Sequence, residues 1–236
     1  MAHPRKILIT GVTSGIGQAL ANRLAENHAV AGVGRKPEPE ADAKACQFYI
    51  QADLSKPADA SETIAASLLS NSWTSLDNVI LNAGTGYVVE DGAESTEIIR
   101  ETLATNMVSP IVLARTLFPW LAKRNGTLTL IGSVARKGQS MFPTYAASKA
   151  GLDGFARALR SEWQGRVAVQ VIHPGPTKTA MHSKAGFDPG KAGEFFVPAD
   201  AAAAMIEGQI VRKSSPRVVS FLQHWSAGAA RARRLT

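Results

Sequence analysis

Apolar residues in this chain gather into short runs separated by longer stretches of helical periodicity. Runs near 6–9, 29–33, 48–50, 79–81, 127–131, 167–172 and 217–221 are continuous rather than alternating. That is the pattern of parallel strands covered on both faces. The stretch from Gln18 to Glu26 has apolar residues at helical spacing instead. Strand-like runs alternating with helical stretches predict an α/β fold: a Rossmann-type, doubly wound parallel sheet of about seven strands with helices on both faces. Between the second and third runs, Pro37 to Gln47 is short and interrupted by proline, which predicts a turn in place of a helix. No linker, repeat or low-complexity segment divides the sequence, and 236 residues suit a single domain spanning 1–236.

The first run feeds into Thr10-Gly11-Val12-Thr13-Ser14-Gly15-Ile16-Gly17 and then into the helical stretch. Strand, glycine-rich turn and helix are the context a dinucleotide loop requires. Gly11 permits the tight turn, Gly15 lets backbone approach a pyrophosphate, and Gly17 allows helix and strand to touch. The helix N-terminus offers unpaired N–H groups and a positive dipole end to phosphates. The plain alternative is a glycine-rich βα junction that binds nothing. The second run ends at Arg35-Lys36, where a Rossmann unit meets the adenosine ribose. An acidic residue there suits the 2′-hydroxyl of NAD, and an arginine the 2′-phosphate of NADP. Arg35 therefore predicts NADP(H) in preference to NAD(H), against the alternative of two solvated loop cations and with Ser14 contributing no charge.

Tyr145 and Lys149 are four residues apart in a helical stretch and so share a face. A phenol titrates near pH 10, too high for ready proton transfer at neutrality, and an adjacent ammonium lowers that value. The pair then reads as a general acid/base, with Ser133 placed to hold a substrate oxygen. Taken alone, such spacing also fits an exposed pair without function.

Together these residues resemble the short-chain dehydrogenase/reductase family, from about residue 5 to about residue 220. Thr10 to Gly17 matches the family's Thr-Gly-x-x-x-Gly-x-Gly, and Asn82-Ala83-Gly84 its Asn-Ala-Gly after the fourth strand. Asp53-Leu54 matches the pair that contacts the adenine, although Asp53 is equally suited to cap the segment beginning at Ser55. Asn106 corresponds to the catalytic Asn, Ser133 to the active-site Ser, and Tyr145 with Lys149 to Tyr-x-x-x-Lys. Pro174-Gly175-Pro176-Thr177 matches the Pro-Gly motif, whose Thr reaches the nicotinamide carboxamide.

The resemblance implies hydride transfer between nicotinamide C4 and a carbonyl or alcohol carbon, with Tyr145 as proton donor and acceptor. Lys149 is expected to bind the nicotinamide ribose and lower the phenol's pKa, Ser133 to orient the substrate oxygen, and Asn106 to hold a water. The cofactor site is expected to comprise Gly11, Thr13, Ser14, Gly15, Ile16, Gly17, Arg35, Asp53, Leu54, Asn82, Ala83, Gly84, Tyr145, Lys149, Pro174, Gly175 and Thr177. A substrate lid is expected over 178–197, with Gln139-Ser140-Met141-Phe142 lining the same cavity. The alternatives are an NADP-binding redox sensor without turnover and a dehydratase or epimerase of the same fold.

The formal charge of +7 raises the question of a nucleic-acid partner. From Gly208 onward, however, Arg212, Lys213, Arg217, Arg231, Arg233 and Arg234 stand without an acidic residue, and the rest of the chain is close to neutral. A basic tail over 222–236 reads as a solvated terminus or an oligomer contact, and no nucleic-acid partner is expected. The lone cysteine, Cys46, excludes an internal disulfide and fits a reducing compartment. The scattered histidines predict no metal site, and no run is long enough for a membrane span. The expected setting is cytoplasmic. The expected assembly is a homodimer or homotetramer, with a dimer formed through the helices that hold Asn106 and Tyr145.

Overall fold

A computed structural model of the chain describes residues 3–38, 42–88, 94–179, 190–212 and 217–219. In chain order the first half comprises β1 (Lys6–Thr10), α1 (Gly15–Ala25), β2 (Ala29–Gly34), β3 (Phe48–Gln51), α2 (Pro57–Ser70), β4 (Asn78–Leu81), α3 (Thr96–Leu103) and α4 (Ser109–Ala122). The second half comprises β5 (Thr127–Ile131), α5 (Pro143–Glu162), β6 (Ala168–Pro174), β7 (Thr177–Lys178), β8 (Val197–Pro198), α6 (Ala199–Arg212) and β9 (Arg217–Val219). Seven strands make one parallel sheet in the order β3-β2-β1-β4-β5-β6-β9, the last of them only three residues long. Each of the seven apolar runs is a strand, as the sequence predicts. Among the described residues of the Pro37 to Gln47 stretch no α-helix forms; Cys46 N–H donates to the Ala43 carbonyl in a turn.

Side chains alternate across a strand, so each run feeds two cores. Leu8, Val33, Val79, Leu81, Leu128 and Leu130 face α2, α4 and α5, where Ile64, Leu68, Leu113, Leu117, Leu152 and Leu159 close over them. Ile7, Ile9, Val30, Ile80, Ile131 and Ile172 face the other way, under Leu20 and Leu24 of α1 and Ile206 and Ile210 of α6. On that second face Gln170 Nε2 donates to Thr129 Oγ1 at 2.9 Å, and Thr129 Oγ1 to Asn78 Oδ1 at 3.3 Å. These bonds offset the cost of burying three polar side chains in the sheet.

The small two-stranded sheet β7-β8 is not legible as strands in the sequence. It pairs Thr177 with Val197 and Lys178 with Pro198, closing the ends of the expected lid onto one another. Residues 180–189 of that lid, and the basic tail over 222–236, lie outside the described residues. Among the described residues no helix is long and apolar enough to cross a membrane.

Candidate active site

α1 packs on one face of the sheet and the helices after β4 on the other, so a crevice opens beyond the carboxyl ends of β1 and β4. It holds a cavity of about 710 Å³. Its floor is the β1–α1 turn, where Gly11 adopts φ +77°. A Cβ on Gly17 would fall 2.1 Å from the Gly11 carbonyl oxygen and 2.4 Å from Asn82 Nδ2. Only glycine allows α1 to begin this close to the strand. Thr10 Oγ1 accepts from the Asn82 and Ala83 amides at 3.0 and 3.1 Å, and Asn82 Nδ2 donates to the Thr10 carbonyl at 3.0 Å. Thr10 and Asn82 thus lock the two walls of the crevice together. Ser14, at the start of α1, makes no side-chain cap bond, so the first-turn amides are left facing the cavity.

At the end of β2 Arg35 is 72% exposed, with Nη1 3.6 Å from Glu101 Oε1 of α3. Tyr87 donates to the other carboxylate oxygen, Oε2, at 2.8 Å. Asp53 Oδ1 accepts from both the amide and the hydroxyl of Ser55, at 3.0 and 2.9 Å, while α2 has no side-chain cap. Asp53 therefore caps the turn that begins at Ser55, ahead of α2, on the cavity wall.

The other end of the cavity holds the proton-transfer candidates. Ser133 follows β5, and its Oγ accepts from the Ala135 amide at 3.1 Å, capping the 3₁₀ turn Val134–Lys137. Tyr145 and Lys149 share a face of α5, which starts at Pro143, a proline preset for a helix's first turn. Lys149 is buried, and Nζ donates to the Ile131 carbonyl at 2.9 Å. Burial pushes its pKa down to about 8. Tyr145 shares a hydrogen bond with Ser133, which favours the phenolate, but burial dominates and raises the phenol's pKa.

The net direction is opposite to the one expected from Lys149. The ammonium lies 5.7 Å from the ring centroid and is engaged by the end of β5, while the half-buried ring loses solvation. Thr177 Oγ1 donates to the Gly175 carbonyl at 3.0 Å.

Asn106 sits in a π-helical turn, Ala104–Val108, between α3 and α4. The extra residue in the turn directs its side chain inward, where it is fully buried. Oδ1 accepts from the Thr85 amide at 2.8 Å; Nδ2 donates to the Thr85 carbonyl at 2.7 Å and to Ser148 Oγ at 3.2 Å.

Of the site residues expected from sequence, all but Gly17 and Asn106 lie on the wall of this one cavity. Gly17 is beneath the loop and Asn106 behind Lys149 and Thr85. Gln139 and Phe142 line the cavity as expected; Ser140 and Met141 do not. Sequence reasoning missed Tyr87 and Glu101. The single usable signal was that Glu101 stands one helical turn before the Thr105-Asn106 pair.

The family model of short chain dehydrogenases matches residues 5–189. The chain is 30% identical over 198 residues to the uncharacterized oxidoreductase YciK of Escherichia coli K12, covering 78% of each chain. It is 30% identical over 196 residues to human retinol dehydrogenase 8, covering 78% of this chain and 62% of that protein. In fold it is similar to a short-chain dehydrogenase from Sphingobium yanoikuyae in complex with NADPH, with a TM-score of 0.77, 23% identity and coverage of 98% and 94%. It is also similar to a short chain dehydrogenase from Escherichia coli CFT073 complexed with NADPH, with a TM-score of 0.82, 24% identity and coverage of 93% and 97%. Sequence match, strand order and cleft agree, and the chain belongs to the short-chain dehydrogenase family of oxidoreductases.

Proposed function

We propose that this chain is an NADP(H)-dependent dehydrogenase/reductase acting on a carbonyl or alcohol. The observation that carries the reading is the placement of Ser133, Tyr145 and Lys149 on the wall of the same cavity whose floor is the glycine turn. The residues fit the cofactor: Gly11, Gly15 and the first-turn amides of α1 suit a pyrophosphate, Arg35 a 2′-phosphate, and Asp53 and Leu54 an adenine. Complexes of two related folds with NADPH support the choice.

When bound, NADPH supplies the hydride that reaches the carbonyl carbon. Ser133 Oγ holds the carbonyl oxygen, and Tyr145 gives its hydroxyl proton to that oxygen as the alcohol forms. A phenol held protonated by burial is in the right state to donate. Lys149, with a pKa of about 8, exchanges protons close to neutrality and can return one to the phenolate. Residues 178–197 act as the lid, with Phe196 already on the cavity wall. The protomers pair through the helices beside Asn106, where Leu103 and Val108 leave apolar surface exposed; light scattering tests this as a mass of two or four chains.

The reading is tested by titrating the protein with NADPH and NADH and then following nicotinamide absorbance over a panel of aldehydes, ketones and quinones. Binding of NADPH with oxidation by at least one carbonyl is expected. Tyr145→Phe keeps the ring and removes the proton; near-normal turnover in that variant would refute its role. Binding without any turnover would favour a redox sensor instead.

A further inference from the structure

Three segments that line the cavity converge on a carboxylate that does not. Asp153 lies on α5, one turn beyond Lys149 and two beyond Tyr145, on the same face. Its Oδ2 is 2.9 Å from Arg136 Nη1, within the turn that Ser133 caps. Its Oδ1 is 3.0 Å from Nε2 of His173, which is fully buried at the end of β6 beside Pro174 and Gly175. The His173 ring presses on the backbone just ahead of Ser133: a Cβ on Gly132 would fall 2.3 Å from Nδ1 and 2.7 Å from Cε1.

Asp153 and Arg136 keep 22% and 26% of their side chains exposed, and an ion pair so placed adds little to stability. What short charge-assisted contacts do impose is geometry. Here they grip Ser133 from both sides. Arg136 anchors the turn that follows the serine, and the His173 ring supports the glycine that precedes it. Both answer to one carboxylate on the helix that carries Tyr145. Because Ser133 Oγ also accepts from the Ala135 amide at 3.1 Å, a shift of the turn moves the hydroxyl with it.

We propose that Asp153 is a positioning residue which, through Arg136 and His173, fixes Ser133 Oγ relative to Tyr145 and to the Pro174-Gly175 wall. The inference rests on the reductase reading above only for its kinetic consequence.

Asp153→Asn is expected to lower kcat by about tenfold or more on the fastest carbonyl of the panel, with KM for NADPH changed by less than about twofold. In a Ser133→Ala background the same change should cost less than about twofold, since the group it positions is gone. A variant combining Arg136→Met, Asp153→Leu and His173→Leu removes all three members of the cluster together. It should recover thermal stability without recovering kcat; recovery of both would reduce the cluster to packing and overturn the proposal.

Hydrogen exchange gives a readout without substrate. In Asp153→Asn the amides of the Val134–Lys137 turn should exchange faster while those of α5 beyond Ala156 do not. If Asp153→Asn does not fold, Arg136→Met is measured in the same way, with Arg136→Lys as the expected partial rescue. Unchanged exchange in the turn, or equal loss of kcat with and without Ser133, overturns the proposal. Faster exchange in a protein that turns over no carbonyl would sustain the brace and sink the reductase reading alone.

Discussion

Lys149 Nζ donates to the Ile131 carbonyl at 2.9 Å and lies 5.7 Å from the centre of the Tyr145 ring, so it is held by the end of β5 and not by the phenol. The consequence is a buried amine hydrogen-bonded to a neutral dipole, with its pKa driven by burial from 10.5 down to about 8.

Stability should depend on pH through this residue. The unfolded chain keeps the lysine protonated up to about pH 10.4, whereas the folded chain releases the proton above about 8. In that window the folded state binds fewer protons, so stability rises with pH; below it the charged form is buried at full cost. The shift corresponds to about 3 kcal/mol as an upper bound. Burial raises the pKa values of Cys46, Tyr49 and Tyr145, and these act oppositely, removing stability as pH climbs past their unfolded values. Urea denaturation of wild type and Lys149→Met across pH 7.5 to 10 separates them. The wild type should gain on the variant as pH rises; a constant difference would show that Lys149 does not titrate in this range.

The glycine turn gives a sharper prediction. Gly17→Ala places a methyl carbon 2.1 Å from a backbone oxygen, a clash no side-chain rotation relieves. Either α1 or the Gly11 turn must move, and both line the cavity proposed to take the dinucleotide. We expect NADPH binding, read by nicotinamide fluorescence, to weaken by more than about tenfold, with unfolding shifted by roughly 1–3 kcal/mol. Unaltered affinity would mean that the turn is not part of the binding surface.

How legible this site was depended on whether a residue's task is local. The strands, the glycine turn and the Tyr145–Lys149 face follow from periodicity and spacing, because strand alternation and helical pitch act over a few residues. The phenol's pKa was misjudged because sequence shows which charge is near but not how much water is lost, nor that Ile131 claims the lysine. Glu101 beside Arg35, and Asp153 between Arg136 and His173, join residues far apart in the chain. No pattern on any one element marks them. The β7–β8 pair escaped notice because two residues per strand carry no period.

Glu101 bears on the cofactor preference proposed for Arg35. Its carboxylate is steadied by Tyr87 and draws the exposed Arg35 guanidinium, so it competes with any 2′-phosphate for the same cation. Such exposed pairs are weak, about 0.2–1 kcal/mol, and a phosphate dianion should win. Arg35→Ser should weaken NADPH binding by roughly tenfold or more and leave NADH within about threefold. Glu101→Gln should strengthen NADPH binding by up to about fivefold, most clearly at low salt. Parallel titrations with the two cofactors check both; loss of NADH affinity equal to that of NADPH in Arg35→Ser would remove the residue from phosphate recognition.

Asn106 is expected to matter for folding as well as for turnover. Its buried amide satisfies both backbone groups of Thr85 and reaches Ser148, whose own hydroxyl donates to the Tyr145 carbonyl at 2.7 Å. The side chain therefore ties the loop after β4 to the helix that carries Tyr145. Asn106→Ala strands an N–H and a C=O away from water, at about 1–3 kcal/mol each. Asn106→Asp keeps the acceptor for the Thr85 amide but turns a carboxylate oxygen towards the Thr85 carbonyl, so at neutral pH it should be at least as destabilising as alanine. Protonating that carboxylate restores one donor, and the Asp variant should regain stability relative to the Ala variant as pH falls. Urea denaturation of the three proteins between pH 5 and 8 reads this directly. Equal stability for wild type and Asn106→Ala, with turnover lost, would leave Asn106 with a purely chemical role and none in holding the loop.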